Sequence, residues 1–117
     1  MDKTMNLQQI IDQLNLTVLT EPREFPEITP TGGYSSDLLS CVMAGAKKGH
    51  LWITLQAHLN IVAVAALNEV AAIIITENAQ PDAASIAKAN QQGVILLSTP
   101  QPTYEISGRL WEMGFRS

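Results

Sequence analysis

Leu7, Ile10, Ile11 and Leu14 recur at i, i+3, i+4 and i+7, the spacing of one apolar helix face. Asn6 with Gln9 three residues on has the form of a capping box at its start. Thr17 to Thr20 reads as a short strand. Pro22, Pro26 and Pro30 then exclude a helix, so Phe25 and Ile28 are read as anchors of an extended segment. Thr31-Gly32-Gly33 reads as a turn, because paired glycines permit positive φ and close backbone approach. Ser35 or Ser36 is placed to cap the next helix, with Asp37 in its first turn. Leu38, Leu39, Val42, Met43 and Ala46 fit the inner side of that helix. Lys47 and Lys48 suit its C-terminal dipole, and Gly49 ends it.

From there strands and helices alternate. Residues 51–55, 72–76 and 94–98 read as strands. Asn60 is expected to cap a helix over 61–70, and Pro81 with Asp82 opens one that stops at Gly93. A last helix spans 103–113 and is closed by Gly114. Its residues Tyr104, Ile106, Leu110 and Trp111 fit one amphipathic face, read as core or subunit contact and not as a cofactor box, with Gly108 as a point of close helix approach. Residues 61–67 could form a buried strand, but their alanines and the flanking strand runs favour a helix. A helix apolar all round must be covered on more than one face, at the centre of a layer or in a subunit interface. This alternation predicts an α/β fold: three layers, with a mostly parallel sheet of four to five strands and helices on both faces. Ile73-Ile74-Ile75 and Val94-Ile95-Leu96-Leu97 have the unbroken apolar character of strands buried on both sides.

The chain has 117 residues, 46% of them hydrophobic, which fits a single domain over residues 1–117. Seven basic against eleven acidic residues give a net charge of −4, and the pI is near 4.9. That balance excludes the basic footprint of a nucleic-acid binder. Cys41 is the single cysteine, so no intrachain disulfide can form and a reducing compartment is expected. Its apolar neighbours suggest a buried, inert thiol. The N-terminus lacks the apolar core of a signal peptide. The apolar run 61–75 is interrupted by Asn68 and Glu69, so no membrane span is expected. A cytoplasmic protein is the resulting expectation.

Ligands of open α/β sheets bind beyond the carboxyl ends of the strands. The loops assigned there hold the candidate ligand-binding residues Thr31, Gly32, Gly33, Tyr34, Ser36, Gln56, His58, Asn60 and Glu77. Thr31 to Asp37 could present free N–H groups to an anion at a helix N-terminus, or could be only a tight turn and cap. His58 could meet an anion, act as a base, or cap. Gln56 and Asn60 could read a base or ribose, or only cap. His50 follows Gly49 at a helix end and is expected at the surface. The histidines and Cys41 share no zinc spacing, so no metal is expected. There is no GxSxG, P-loop or GxGxxG, and no oriented third member to make Ser35 or Ser36 with His58 a triad. No catalytic residue and no cofactor are therefore assigned.

The stretch Thr31-Gly32-Gly33-Tyr34-Ser35-Ser36-Asp37-Leu38-Leu39-Ser40 resembles the DRTGG domain family. So do the runs from Leu51 to Ala65, from Ile74 to Asp82, and Leu97-Ser98-Thr99. The resemblance implies an α/β fold similar to the N-terminal domain of HPr kinase. Such domains occur within some phosphate acetyltransferases, beside CBS pairs in some pyrophosphatases, and alone. One departure is that Thr29 and Pro30 stand where the family name has Asp-Arg, which removes a bidentate anion donor. The expectation is a non-catalytic regulatory or adaptor domain, homodimeric, sensing a nucleotide or other phosphorylated metabolite at strand-end loops. A partner enzyme or kinase-like protein is implied as well. The alternatives are a pure protein–protein interaction module, a small enzyme using His58, and a kinase-like accessory protein.

Overall fold

A computed structural model describes residues 5–21, 25 and 27–116. Ten elements follow one another: α1 (Leu7–Leu14), β1 (Thr17–Val18), β2 (Gly32–Ser35), α2 (Leu39–Gly45), β3 (His50–Thr54), α3 (Asn60–Asn68), β4 (Ala72–Ile75), α4 (Ala83–Gln92), β5 (Leu96–Ser98) and α5 (Thr103–Glu112). They form a five-stranded sheet in the order β1-β5-β4-β3-β2. β2 to β5 are parallel, and only β1 runs antiparallel, with Thr17 opposite Ser98. The α/β architecture with helices on both faces is the one the alternation predicted.

The parallel strands lie side by side in chain order. Right-handed crossovers between such strands place every connecting helix on the same face. α2, α3 and α4 are found together there, over Trp52, Ile73, Ile75 and Leu96. The opposite face must be covered from outside the repeating unit. α1 and α5 do this over Leu51, Ile53, Ala72, Ile74, Ile95 and Leu97. β3, β4 and β5 are buried throughout. α3 packs between α2 and α4, which accounts for the burial of Ile61, Val62, Val64 and Ala65, while Ala63 and Leu67 stay exposed.

Local signals decide several boundaries. Asn6 and Gln9 form the capping box, and Asn15 closes α1 in the left-handed region. Asp82 caps α4 through the Ser85 N–H, and Gly93 ends it at φ 74°. Phe25 is buried and Ile28 packs against the same core, as expected; Pro22 and Pro26 lie outside the described residues.

Other expectations are overturned. Gly32 and Gly33 are not a turn but the first half of β2, with neither at positive φ. Pairing with the buried strand β3 outweighs their poor strand propensity. α2 therefore starts later, at Leu39, and neither serine caps it; Ser36 Oγ only accepts from the Leu38 N–H. Asp37 lies in the loop, not in a helix. Within α2 only Val42 is buried; Leu38 and Met43 are exposed. Cys41 is exposed, because this short helix rests on the sheet by one narrow stripe. Lys47 and Lys48 fall beyond the helix end at Gly45. The C-terminal carbonyls of α2 are met instead by Asn68 Nδ2, which lies 3.1, 3.2 and 2.8 Å from the carbonyl oxygens of Val42, Met43 and Ala46. Gly45 is where Tyr34 crosses: a Cβ there would stand 2.6 Å from the ring. On α5, Ile106 and Leu110 face inward but Tyr104 and Trp111 face outward, and Gly108 has nothing within 4 Å of a built Cβ.

Asn68 thus fixes α2 to α3. Asn68→Ala is expected to cost about 1–2 kcal/mol in urea unfolding, although Ala is the better helix former. Asn68→Asp is expected to cost more, because it aims a carboxylate at three carbonyl oxygens. Equal stability of all three proteins would contradict the assignment.

Candidate functional site

β2 ends at Ser35, β3 at Thr54, β4 at Ile75 and β5 at Ser98, so the loops after them share one edge of the sheet. Of the sequence candidates, Ser36, Gln56, His58, Asn60 and Glu77 lie on this edge. Thr31 and Gly32 do not. Gly32 pairs with His50, the first residue of β3, and Thr31 is tied to that far end by its N–H to Gly49 O (3.0 Å) and its Oγ1 to Lys48 O (3.2 Å). A four-residue strand spans roughly 10 Å, so one small ligand at the carboxyl edge does not reach them. Gly33 lies within β2, and Tyr34 turns its hydroxyl to the Cys41 carbonyl at 3.1 Å.

The loops after β2 and β3 are knitted together by Asp37. Its Oδ1 accepts from Thr54 Oγ1 at 2.7 Å and from the Leu55 N–H at 2.9 Å. Gln56 Nε2 donates back to the Asp37 carbonyl at 3.1 Å, and the Gln56 N–H to Thr54 Oγ1 at 3.0 Å. His58 Nδ1 accepts from the Asn60 N–H at 3.2 Å. The imidazole thus does the capping expected of Asn60, which is itself the first helical residue. That bond leaves Nε2 as the ring's donor position. Leu38, Leu55 and Leu59 are exposed around the same loops.

A second feature of this edge was invisible in sequence. The helix after β4 leaves on one face and the helix after β5 on the other, the divergence that opens a ligand crevice in doubly wound sheets. Here it is bridged. The Glu77 N–H donates to Gln101 O (3.0 Å) and the Asn78 N–H to Thr99 O (3.1 Å). The Glu77 carboxylate accepts from the Thr103 N–H at 2.9 Å, at the start of α5, and the hydroxyls of Thr76 and Thr103 share a hydrogen bond. Glu77 and Asn78 both take left-handed backbone (φ 61° and 60°) to make this closure. Glu77 is therefore a helix cap and a brace as well as a strand-end carboxylate.

Charge distinguishes the two ends of the sheet. The carboxyl edge carries Asp37, Glu77 and Asp82 with His58. The Ser85 N–H above all, with His58 also contributing, holds the Asp82 carboxyl below its ordinary range. Lys47 and Lys48 lie at the other end with His50, which is not at the surface but buried as the first residue of β3. Its Nδ1 accepts from the Lys47 N–H at 3.1 Å. Burial first, and the Lys47 charge second, push its pKa below 6.5. Ser35 Oγ is bonded to Ser107 Oγ at 2.7 Å, so this serine serves the contact of β2 with α5. Among the described residues no three His, Cys, Asp or Glu side chains gather to hold a metal ion, and no helix is long and apolar enough to cross a membrane.

The sequence model of the DRTGG domain matches residues 40–113, more than half of the chain, and the chain belongs to the DRTGG domain family. The match begins after the Thr31–Asp37 stretch. No functionally curated protein matches the chain in sequence. Among solved structures the chain is similar to the crystal structure of the CBS and DRTGG domains of the regulatory region of Clostridium perfringens pyrophosphatase, complexed with its activator diadenosine tetraphosphate. The TM-score is 0.73 at 17% identity, over 99% of this chain and 52% of that one, so the chain spans about half the length of that neighbour and shares its fold.

Because His50 is held neutral, the unfolded chain binds more protons than the folded one between the lowered pKa and 6.5. Its contribution to stability is present above 6.5 and is lost as pH falls toward the folded value. Urea unfolding at about pH 7.5 and about pH 5.5 is expected to show a larger loss in the wild type than in His50→Asn, whose Oδ1 keeps an acceptor for Lys47. Parallel losses in the two proteins would contradict the assignment.

Proposed function

We propose that this chain is a non-catalytic regulatory domain, acting as a homodimer in the cytoplasm. It binds a nucleotide or other phosphorylated metabolite beside Ser36, Gln56, His58 and Asn60, and passes that state to a partner enzyme or kinase-like protein. The observation that carries this reading is the convergence of those side chains on the loops after β2 and β3, on a base that Asp37 holds rigid. Amides of Gln56 and Asn60 suit a base or ribose edge, the exposed leucines suit a base face, and His58 is the donor nearest a phosphate. Family membership and the nucleotide-activated regulatory region of similar fold point the same way. A non-catalytic role fits the engagement of the reactive groups: Ser35 with Ser107, His58 Nδ1 with Asn60, and the Glu77 carboxylate with Thr103.

A second reading is a pure protein–protein interaction module. Leu38, Leu55 and Leu59 on an acidic edge favour it, as does Pro30 in place of the family's arginine. The alternative as a small enzyme requires His58 beside a serine hydroxyl, and the hydrogen bonds of Ser35 and Ser36 run elsewhere.

A thermal-shift screen against adenine and guanine nucleotides, acetyl phosphate and coenzyme A separates the readings. A nucleotide at about a hundred times its Kd adds roughly 2.7 kcal/mol, several degrees for a domain of this size. The expected result is a saturable shift with one nucleotide class, lost in His58→Ala and weakened in Asn60→Ala. No shift with any probe supports the protein-interaction reading instead.

A further inference from the structure

Two adjacent helices begin with an exposed leucine. Leu38 stands at the N-cap of α2 in extended backbone (φ −96°, ψ 114°), and Leu59 stands at the start of α3. Their side chains are 61% and 42% exposed. A helix start strongly prefers serine, threonine, aspartate or asparagine to leucine. Here Ser36 Oγ and His58 Nδ1 accept from the Leu38 and Asn60 N–H groups in place of a capping side chain. Leu55 is 44% exposed in the same loops, and Asp37 accepts from its N–H, which sets Leu38, the next residue, beside it. Single exposed leucines are ordinary, but three gathered on two linked loops, two of them at helix starts, form a surface suited to contact.

The rim of this patch is acidic. Asp37, Glu77 and Asp82 are exposed on the same edge. Each uses one oxygen to hold the fold: Asp37 Oδ1 for Thr54 and Leu55, Glu77 Oε2 for Thr103, and Asp82 Oδ1 for Ser85. Among the described residues the second oxygen of each makes no hydrogen bond, and no lysine or arginine answers it. Lys47 and Lys48 lie at the opposite end of the sheet, and Lys88 is six residues along α4 from Asp82. Arg116 is laid over Trp111, and Arg109 is bonded to Gln101 Oε1 and the Gln13 carbonyl.

We propose that this patch seats an amphipathic helix of a partner protein, its apolar stripe on Leu38, Leu55 and Leu59 and its lysines or arginines toward the three carboxylates. Charge complementarity selects a basic partner over an acidic one, and the leucines supply the apolar contact that a bare acidic surface lacks. The loops after β2, β3 and β4 span two strand spacings, about 10 Å, which two turns of helix cover. The inference rests on the nucleotide site and the partner of the proposed function, and it gives the relation between them. Leu55 and Leu59 bracket Gln56 and His58 in the chain, so a helix lying on both leucines covers the amide and the imidazole. Nucleotide and partner therefore exclude one another.

Fluorescence anisotropy tests this with two labelled peptides of about four helical turns, one built of leucine and lysine and the other of leucine and glutamate. The expected result is saturable binding of the leucine–lysine peptide alone. That binding weakens at least about tenfold in Leu38→Ser/Leu59→Ser. It is unchanged in Leu67→Ser, whose leucine is 71% exposed toward the other end of α3. Serine suits a helix start better than leucine, so the double variant loses binding with no fall in its urea midpoint, which a merely structural role would not allow. ATP and diadenosine tetraphosphate, at concentrations that raise the melting temperature, displace the peptide. No binding of the leucine–lysine peptide, or binding indifferent to the leucine pair, overturns the inference, while the thermal-shift screen decides nucleotide binding separately. A peptide that stays bound beside a saturating nucleotide overturns the exclusion. Leucine-dependent peptide binding with no thermal shift from any nucleotide overturns the exclusion together with the nucleotide reading and leaves the partner seat in place.

Discussion

The rest of the molecule depends on one constraint: β3, β4 and β5 are buried on both faces, and they lie in chain order. Right-handed crossovers between such strands can cover only one face. The other face is covered by α1 and α5, which come from the two ends of the chain. Two consequences follow. β1 is left to close the β5 edge as a short antiparallel strand. The helices after β4 and β5 also leave on opposite faces, and the opening between them is bridged by Glu77, Asn78, Thr99, Gln101 and Thr103. What the topology would offer as a crevice is spent on holding α5, and the polar side chains that remain collect after β2 and β3.

Much of the fold was legible because its signals are local. The capping box at Asn6, the Asp82 and Gly93 ends of α4, and the apolar runs of β4 and β5 each identify an element without reference to the rest. Gly32-Gly33 misled because glycine marks a turn in isolation, whereas here a fully buried neighbouring strand supplies the pairing. That error moved α2, and with it displaced Asp37 from loop to helix. The periodicity of α5 was visible, but not how its apolar residues divide: Tyr104 and Trp111 were grouped on one face with Ile106 and Leu110, and only the position of the sheet shows that they turn outward. His50 was misplaced by one residue's margin, since Gly49 ends the turn and His50 already begins β3.

The candidate site was legible only in part. The rule that ligands lie beyond strand carboxyl ends gathers Ser36, Gln56, His58, Asn60 and Glu77, which do share one edge, but it had enlisted Thr31 and Gly32 from the opposite end through the misread turn. Asp37, which organises the site by accepting from Thr54 and Leu55, carried no signal beyond being an acidic residue near a predicted helix start. Electrostatics gives the site its character. Three carboxylates and one imidazole do not form a phosphate cradle by themselves, so the proposed recognition of a nucleotide leans on amides and apolar contact with the base and sugar, with His58 toward the phosphate. The contrast with Lys47 and Lys48 at the far end makes the location of any bound nucleotide an informative observable.

The most direct measurement is therefore amide chemical-shift mapping of the isotope-labelled protein during titration with adenosine nucleotides, diadenosine tetraphosphate included. The account predicts saturable shifts at Ser36, Leu55, Gln56, His58 and Asn60, with Thr31, Lys47 and Lys48 unmoved. Shifts centred on Lys47 and Lys48, or none at any nucleotide concentration, would contradict it.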